Sequence, residues 1–139
     1  MKDRPFQLTD VVREICFAMH VYFGPGHLER VYENSLIHRL RKHGLTVQPQ
    51  KRLTVFDIDG VVVGEFQADL VVEDVLLVEV KAAKSIAGEH IAQLLGYLRS
   101  ARLEHGVLVN FGAGRFQIRK LAMSDGLRGP DGDQELALE

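Results

Sequence analysis

The sequence predicts a layered α/β sandwich, a central mixed sheet flanked by helices, in the order α-α-β-β-β-α-β-β. Three observations predict it. Two N-terminal stretches carry apolar residues at helical spacing. Three strand-like runs between residues 45 and 83 are separated by turn residues. A further helical run is followed by two short apolar runs.

Thr9 or Asp10 reads as the N-cap of a first helix to Phe23, with Val12, Ile15, Cys16, Met19 and Phe23 on one face. Gly24-Pro25-Gly26 breaks it. A second helix, from Leu28 to His43, sets Leu28, Val31, Tyr32, Ser35, Leu36 and Leu40 on one side. Arg39, Arg41 and Lys42 suit its C-terminal dipole, and Gly44 suits its stop.

Strand alternation follows from Leu45 to Phe56, with Pro49 fitting an edge strand. Asp59-Gly60 marks a hairpin into Val61 to Val72. Glu73-Asp74 turns the chain into Val75 to Ala83, apolar enough to be central. A third helix, 87–103, buries Ile91, Leu94, Leu95 and Leu98. Strands at 106–111 and 116–121 close the domain, 1–121. The remainder, 122–139, reads as a flexible acidic tail.

The 139 residues suit one domain, and 46% hydrophobic with 26% charged residues argues against wholesale disorder. No apolar run approaches the ~20 residues that span a bilayer, the start is no signal peptide, and one cysteine makes no internal disulfide. A cytoplasmic protein without membrane association is expected. Net charge is −2. Residues 122–139 hold five acids and one base, which leaves about +2 for the rest, weak support for a polyanion partner.

The chemistry concentrates in two adjacent strands. Asp69 interrupts Gln67-Ala68-Asp69-Leu70-Val71-Val72, and Glu79 and Lys81 share one face of the next strand. Charges in apolar strands are costly and need a reason. A loop centred on Asp74 puts Asp69 opposite Glu79, ~5 Å apart at Cβ. A two-residue turn puts Asp69 across from Val78 instead. In the first register two carboxylates can share one hard cation, Mg²⁺ or Mn²⁺, which acidifies water and neutralises a phosphoryl oxygen. Lys81 would stand beside it to handle a water or a phosphate. The bland alternative is ordinary salt bridging.

Through Asp69, Glu79-x-Lys81 and Gln93-x-x-x-Tyr97, the chain resembles the PD-(D/E)XK nuclease-like superfamily. Its Gly26-His27-Leu28-Glu29-Arg30-Val31-Tyr32 is similar to the Gly-x-x-Glu-x-x-Tyr signature of one small-protein family within it. The resemblance spans roughly Val11 to Leu121 and implies a restriction-endonuclease-like sandwich. It implies Asp69 and Glu79 as catalytic metal ligands, Lys81 as the catalytic lysine and Glu29 as a further acid reaching the metal. Gln93 and Tyr97 are implied to bind substrate. Ala68 stands where the superfamily's name has proline, and Gln67 where arginine is expected in close relatives.

Beside the resemblance, Tyr32 reads more readily as a core aromatic with a tied hydroxyl, and Glu29 equally as a first-turn acid favoured by the helix dipole. Gln93 and Tyr97 are i, i+4 neighbours that fit a polar stripe as well as a phosphate or base contact. Arg115, Arg119 and Lys120 suit a solvated face better than a nucleic-acid track.

The function expected is a metal-dependent nuclease hydrolysing phosphodiester bonds of DNA or RNA. The alternative is a catalytically silent module of the same fold that binds nucleic acid or a protein partner. So short a chain leaves little room for a separate target-recognition domain, so that specificity is expected to be poor or to be supplied by a homodimer or a partner protein.

Overall fold

In the computed structural model, which describes residues 4–123 and 137–138, the expected order holds: α1 (Arg4–Phe23), α2 (Glu29–Lys42), β1 (Val47–Phe56), β2 (Val62–Val72), β3 (Leu76–Lys81), α3 (Gly88–Ala101), β4 (His105–Asn110) and β5 (Gln117–Ala122). The expected tail lies mostly outside the described residues. Ala137–Leu138 pair with β5 as a short β6. The sheet order is β1-β2-β3-β4-β5-β6, antiparallel except for β3 and β4, which run parallel and are joined by α3. Pro49 sits on the edge strand, where its missing N–H costs no ladder bond.

Alternation along the strands makes two cores. Leu70, Val72, Leu76, Val78 and Val80 pack under α1 and α2, against Val12, Cys16, Met19, Leu36 and Leu40. Val71, Leu77 and Leu108 face α3 through Leu94 and Leu98. Tyr32 is fully buried, stacks on Phe111 at 4.6 Å and donates its hydroxyl to the Gly24 carbonyl at 2.6 Å, which makes it a core residue. Among the described residues no helix is long and apolar enough to cross a membrane.

Two helix starts differ from expectation. α1 begins at Arg4, because Pro5 falls in the first turn, where a proline is tolerated. Thr9 is therefore interior, buried, with its hydroxyl bonded to the Pro5 carbonyl. α2 begins at Glu29, and Leu28, expected on the apolar face, is 79% exposed in the non-helical residue before it.

The β2–β3 connection sets the register. Glu73 and Asp74 adopt left-handed φ values of 53° and 60°, and the Glu73 carboxylate accepts both the amide and hydroxyl of Thr46 at 2.7 Å. The amide bond first, then the hydroxyl, holds the Glu73 carboxyl below its usual pKa. The loop is centred on Asp74, so Leu70 pairs with Val78 and Val72 with Leu76.

Beyond β3, Asn110 is fully buried and satisfied: its Oδ1 accepts the Ala83 and Gly112 amides, and its Nδ2 donates to the Ala83 carbonyl and to Gln117 Oε1. This clamp draws Gly112 against the chain after β3 so closely that an added Cβ would lie 2.4 Å from the Ala83 carbonyl oxygen. Backbone atoms do not yield as side chains do. Gly112→Ala is expected to lower the melting temperature by about 5–10 °C, from an overpacking cost of ~1–3 kcal/mol. Thermal unfolding followed by circular dichroism measures it, and an unchanged midpoint would show that this approach is not tight.

Candidate active site

The antiparallel ladder between β2 and β3 ends at Leu70 and Val78. One residue further on, the strands part and two amides lose their ladder partners. Side chains replace them. The Asp69 N–H donates to Glu79 Oε2, and the Val80 N–H donates to Asp69 Oδ2, both at 2.7 Å. Each acid thus accepts an amide of the other's strand, meeting the demand that buried N–H groups find acceptors. The second oxygen of each carboxylate makes no hydrogen bond among the described residues.

The electrostatic cost is legible. Glu79 is 5% exposed, and burial, then the Asp69 charge, pushes its carboxyl up to about 8 from an ordinary 4.5. Asp69 is raised too, by burial first, against the lowering effect of the Val80 amide and of Lys81. Lys81 lies at the end of β3, and its Nζ donates to Gln93 Oε1 on α3 at 3.3 Å. Tyr97, one turn after Gln93, stacks on Phe66 of β2 with ring centroids 3.9 Å apart. Its hydroxyl is raised by partial burial and then by the charges of Glu79 and Asp69, so it stands within their field.

From the other side α2 contributes Glu29, whose Oε2 accepts the Ala82 amide at 3.4 Å, just past Lys81. Asp69, Glu79, Lys81, Gln93 and Tyr97 therefore converge, with Glu29 at the margin. Sequence reasoning missed Glu33. It is one turn after Glu29, buried, bonded by Gln50 Nε2 at 2.8 Å, and raised by burial first and by Asp69 second. Gln50 reaches it from a left-handed position, φ 50°, at a gap in the β1–β2 register. The i, i+4 pair of acids on an otherwise apolar helix face was the signal available.

Among the described residues no three His, Cys, Asp or Glu side chains converge into a metal-holding group by themselves. The donor set still fits a hard cation: two close carboxylates, each with a spare oxygen, in a cleft where burial penalises uncompensated negative charge. Mg²⁺ commonly takes only one or two carboxylates and completes its shell from water and substrate phosphate.

An α/β/α sandwich whose mixed sheet opens at an Asp–Glu pair, with a lysine two residues on, belongs to the restriction-endonuclease-like class. The sequence agrees: residues 6–121 match the PD-(D/E)XK nuclease superfamily, and the chain belongs to it. The fold is similar to the crystal structure of SSO0001, with a TM-score of 0.54 and 21% identity over 66% of this chain. The match spans 48% of that structure, so this chain corresponds to about half of it. No curated protein sequence matches.

The metal-free protein carries a pH signature with a definite sign. A carboxyl raised on folding stabilises the folded state fully below its unfolded value near 4.5. That contribution is lost as pH climbs through about 8. The melting temperature of metal-free protein is expected to fall between pH 6 and pH 9, and Glu79→Gln, which keeps an acceptor for the Asp69 amide, should flatten that slope and melt several degrees higher at the alkaline end. Equal slopes for the two proteins, by scanning calorimetry in chelator, would contradict the assignment of Glu79 as the raised group.

Proposed function

We propose that the protein is a divalent-metal-dependent nuclease that hydrolyses phosphodiester bonds of DNA or RNA, with Asp69 and Glu79 holding the ion and Lys81 as the catalytic lysine. The observation that carries this reading is the reciprocal Asp69–Glu79 arrangement. Glu79 is fixed by the Asp69 amide and Asp69 by the Val80 amide, each carboxylate with an oxygen to spare, and Lys81 is adjacent. Mg²⁺ or Mn²⁺, when bound, would supply charge neutralisation at the phosphoryl oxygen and acidify the attacking water.

The chain's own residues do the rest. Asp69 and Glu79 would present Oδ1 and Oε1 to the ion, their geometry set by the amides that hold the other oxygens. Lys81 places an ammonium group where negative charge develops on the phosphoryl oxygens, or holds the water in line. Gln93, by accepting from Lys81, aims that ammonium group, and its side chain also hydrogen-bonds Tyr97, linking the two groups. Glu29 takes an outer position, where it can orient a water without direct coordination. Glu33 adds negative potential from within α2 and is restrained by Gln50. Homodimerisation or a partner protein would supply target specificity.

Because the two acids also hold the strand ends together, alanine at 69 or 79 would strand a buried amide. The discriminating variants are Asp69→Asn, Glu79→Gln and Lys81→Ala. Each is expected to retain a folded circular dichroism spectrum and to lose cleavage by about two orders of magnitude or more. The readout is cutting of labelled single- and double-stranded DNA and RNA with Mg²⁺ or Mn²⁺. Wild-type protein inert on all four substrates with either ion would overturn the proposal. Lys81→Ala protein as active as wild type would remove the lysine from it.

A further inference from the structure

On the α3 side of the acidic centre, a groove of about 460 Å³ runs between α3 and the β1–β2 hairpin, within the ~300–1,000 Å³ range of small-ligand sites. We propose that this groove seats an unpaired nucleobase of the strand being cut, so that the substrate is single-stranded next to the scissile phosphate. The inference rests on the nuclease reading and narrows its substrate.

Continuity with the centre is the first observation. Gln93 and Tyr97 line the groove and also face the catalytic group, Gln93 through its bond to Lys81. A nucleotide whose phosphate reaches Lys81 therefore has its base at the mouth of this groove.

The lining suits a base. Phe66 and Tyr97 stack on each other and form an aromatic wall, Val55 and Val63 extend it with apolar surface, and Ser100 offers a hydroxyl. Such a wall stacks any base without reading its sequence. The one carboxylate on the rim, Glu65, is partnered by Arg52 at 3.8 Å.

Two glycines supply the third observation. Gly96 lies inside α3, where glycine weakens a helix relative to alanine, and Gly64 lies inside β2, where it weakens a strand. Neither has a positive φ, and a Cβ added to either would meet nothing within 4 Å. The fold therefore gives no packing or backbone reason for Gly96, whereas Gly64 adjoins the register shift between Val55 and Phe56, where glycine is common. Both line the groove, from opposite walls, and their missing side chains keep it open. A base in a duplex has both faces covered by its neighbours and its edge paired, so only an unpaired base can enter.

The test uses Lys81→Ala protein, in which cutting is off, and the same protein with Gly96→Leu added. Short DNA and RNA oligonucleotides carrying 2-aminopurine are offered single-stranded and as duplexes. The expected result is single strands bound at least about tenfold tighter than duplexes, with the fluorescence quenched by ring stacking. Gly96→Leu should abolish the quench and cost about tenfold in single-strand affinity. Whichever sugar is preferred identifies DNA or RNA. Ser100→Leu, plugging the groove one turn further from Lys81, should repeat the effect and serves if the Gly96→Leu melting temperature is depressed. Duplexes bound as tightly as single strands, a quench that survives both leucines, or no binding of any oligonucleotide would each overturn the groove assignment. Failure of the nuclease reading looks different: oligonucleotides are bound and quenched but wild-type protein leaves them uncut with every ion.

Discussion

The constraint on which the site depends is the stranded backbone amide. β2 and β3 pair through Leu70 and Val78 and then part, leaving the Asp69 and Val80 N–H groups without ladder partners beside a dry core. A buried amide left unpaired costs ~1–3 kcal/mol, so acceptors must come from side chains. A carboxylate is the strongest acceptor available, and two of them in reciprocal arrangement satisfy both amides. The acids that unsettle the electrostatics of the cleft are thus the groups that let the sheet open at all. Structural need and chemical capability coincide in the same two side chains.

That coincidence holds only in one register, which is fixed some distance away. The left-handed backbone at Glu73 and Asp74, held by Thr46, makes the loop one residue longer than the tightest turn. A one-residue slip would turn Glu79 to the opposite face and send Val78 or Val80 into the cleft. The far wall is fixed by Asn110, whose four hydrogen bonds lock the chain beyond Lys81 onto the end of β4. Lys81 therefore projects between two anchored points, so its ammonium group reaches Gln93 from a fixed backbone.

Much of this was legible in the sequence, for identifiable reasons. Element order follows from periodicity and turn residues, which are local. The pairing of Asp69 with Glu79 follows from loop parity once the loop is centred on Asp74, although residue types alone left the two-residue turn open. The start of α1 was misplaced because Thr9 and Asp10 look like caps, while Pro5 at a helix start is quieter. Glu33 escaped because its meaning lies in a partner on another element, Gln50, whose left-handed backbone no local pattern announces. Asn110 escaped likewise: inside Val107-Leu108-Val109-Asn110-Phe111 it reads as the polar end of a strand, and its four partners are tertiary.

The two flanks of the cleft are chemically unequal, and this inequality bears on how a substrate can lie. On the α2 side stand Glu29 and Glu33, with Arg30 a compensating charge felt by both Glu33 and Asp69. On the α3 side stand an amide, a phenol and the aromatic wall with Phe66, with the rim carboxylate Glu65 paired to Arg52. A polyanion crossing the centre meets repulsion from the α2 acids wherever its phosphates approach them without a cation between. On the α3 flank it meets surface suited to rings. On the proposed nuclease reading, the favourable path would keep phosphate charge near Lys81 and turn bases toward α3.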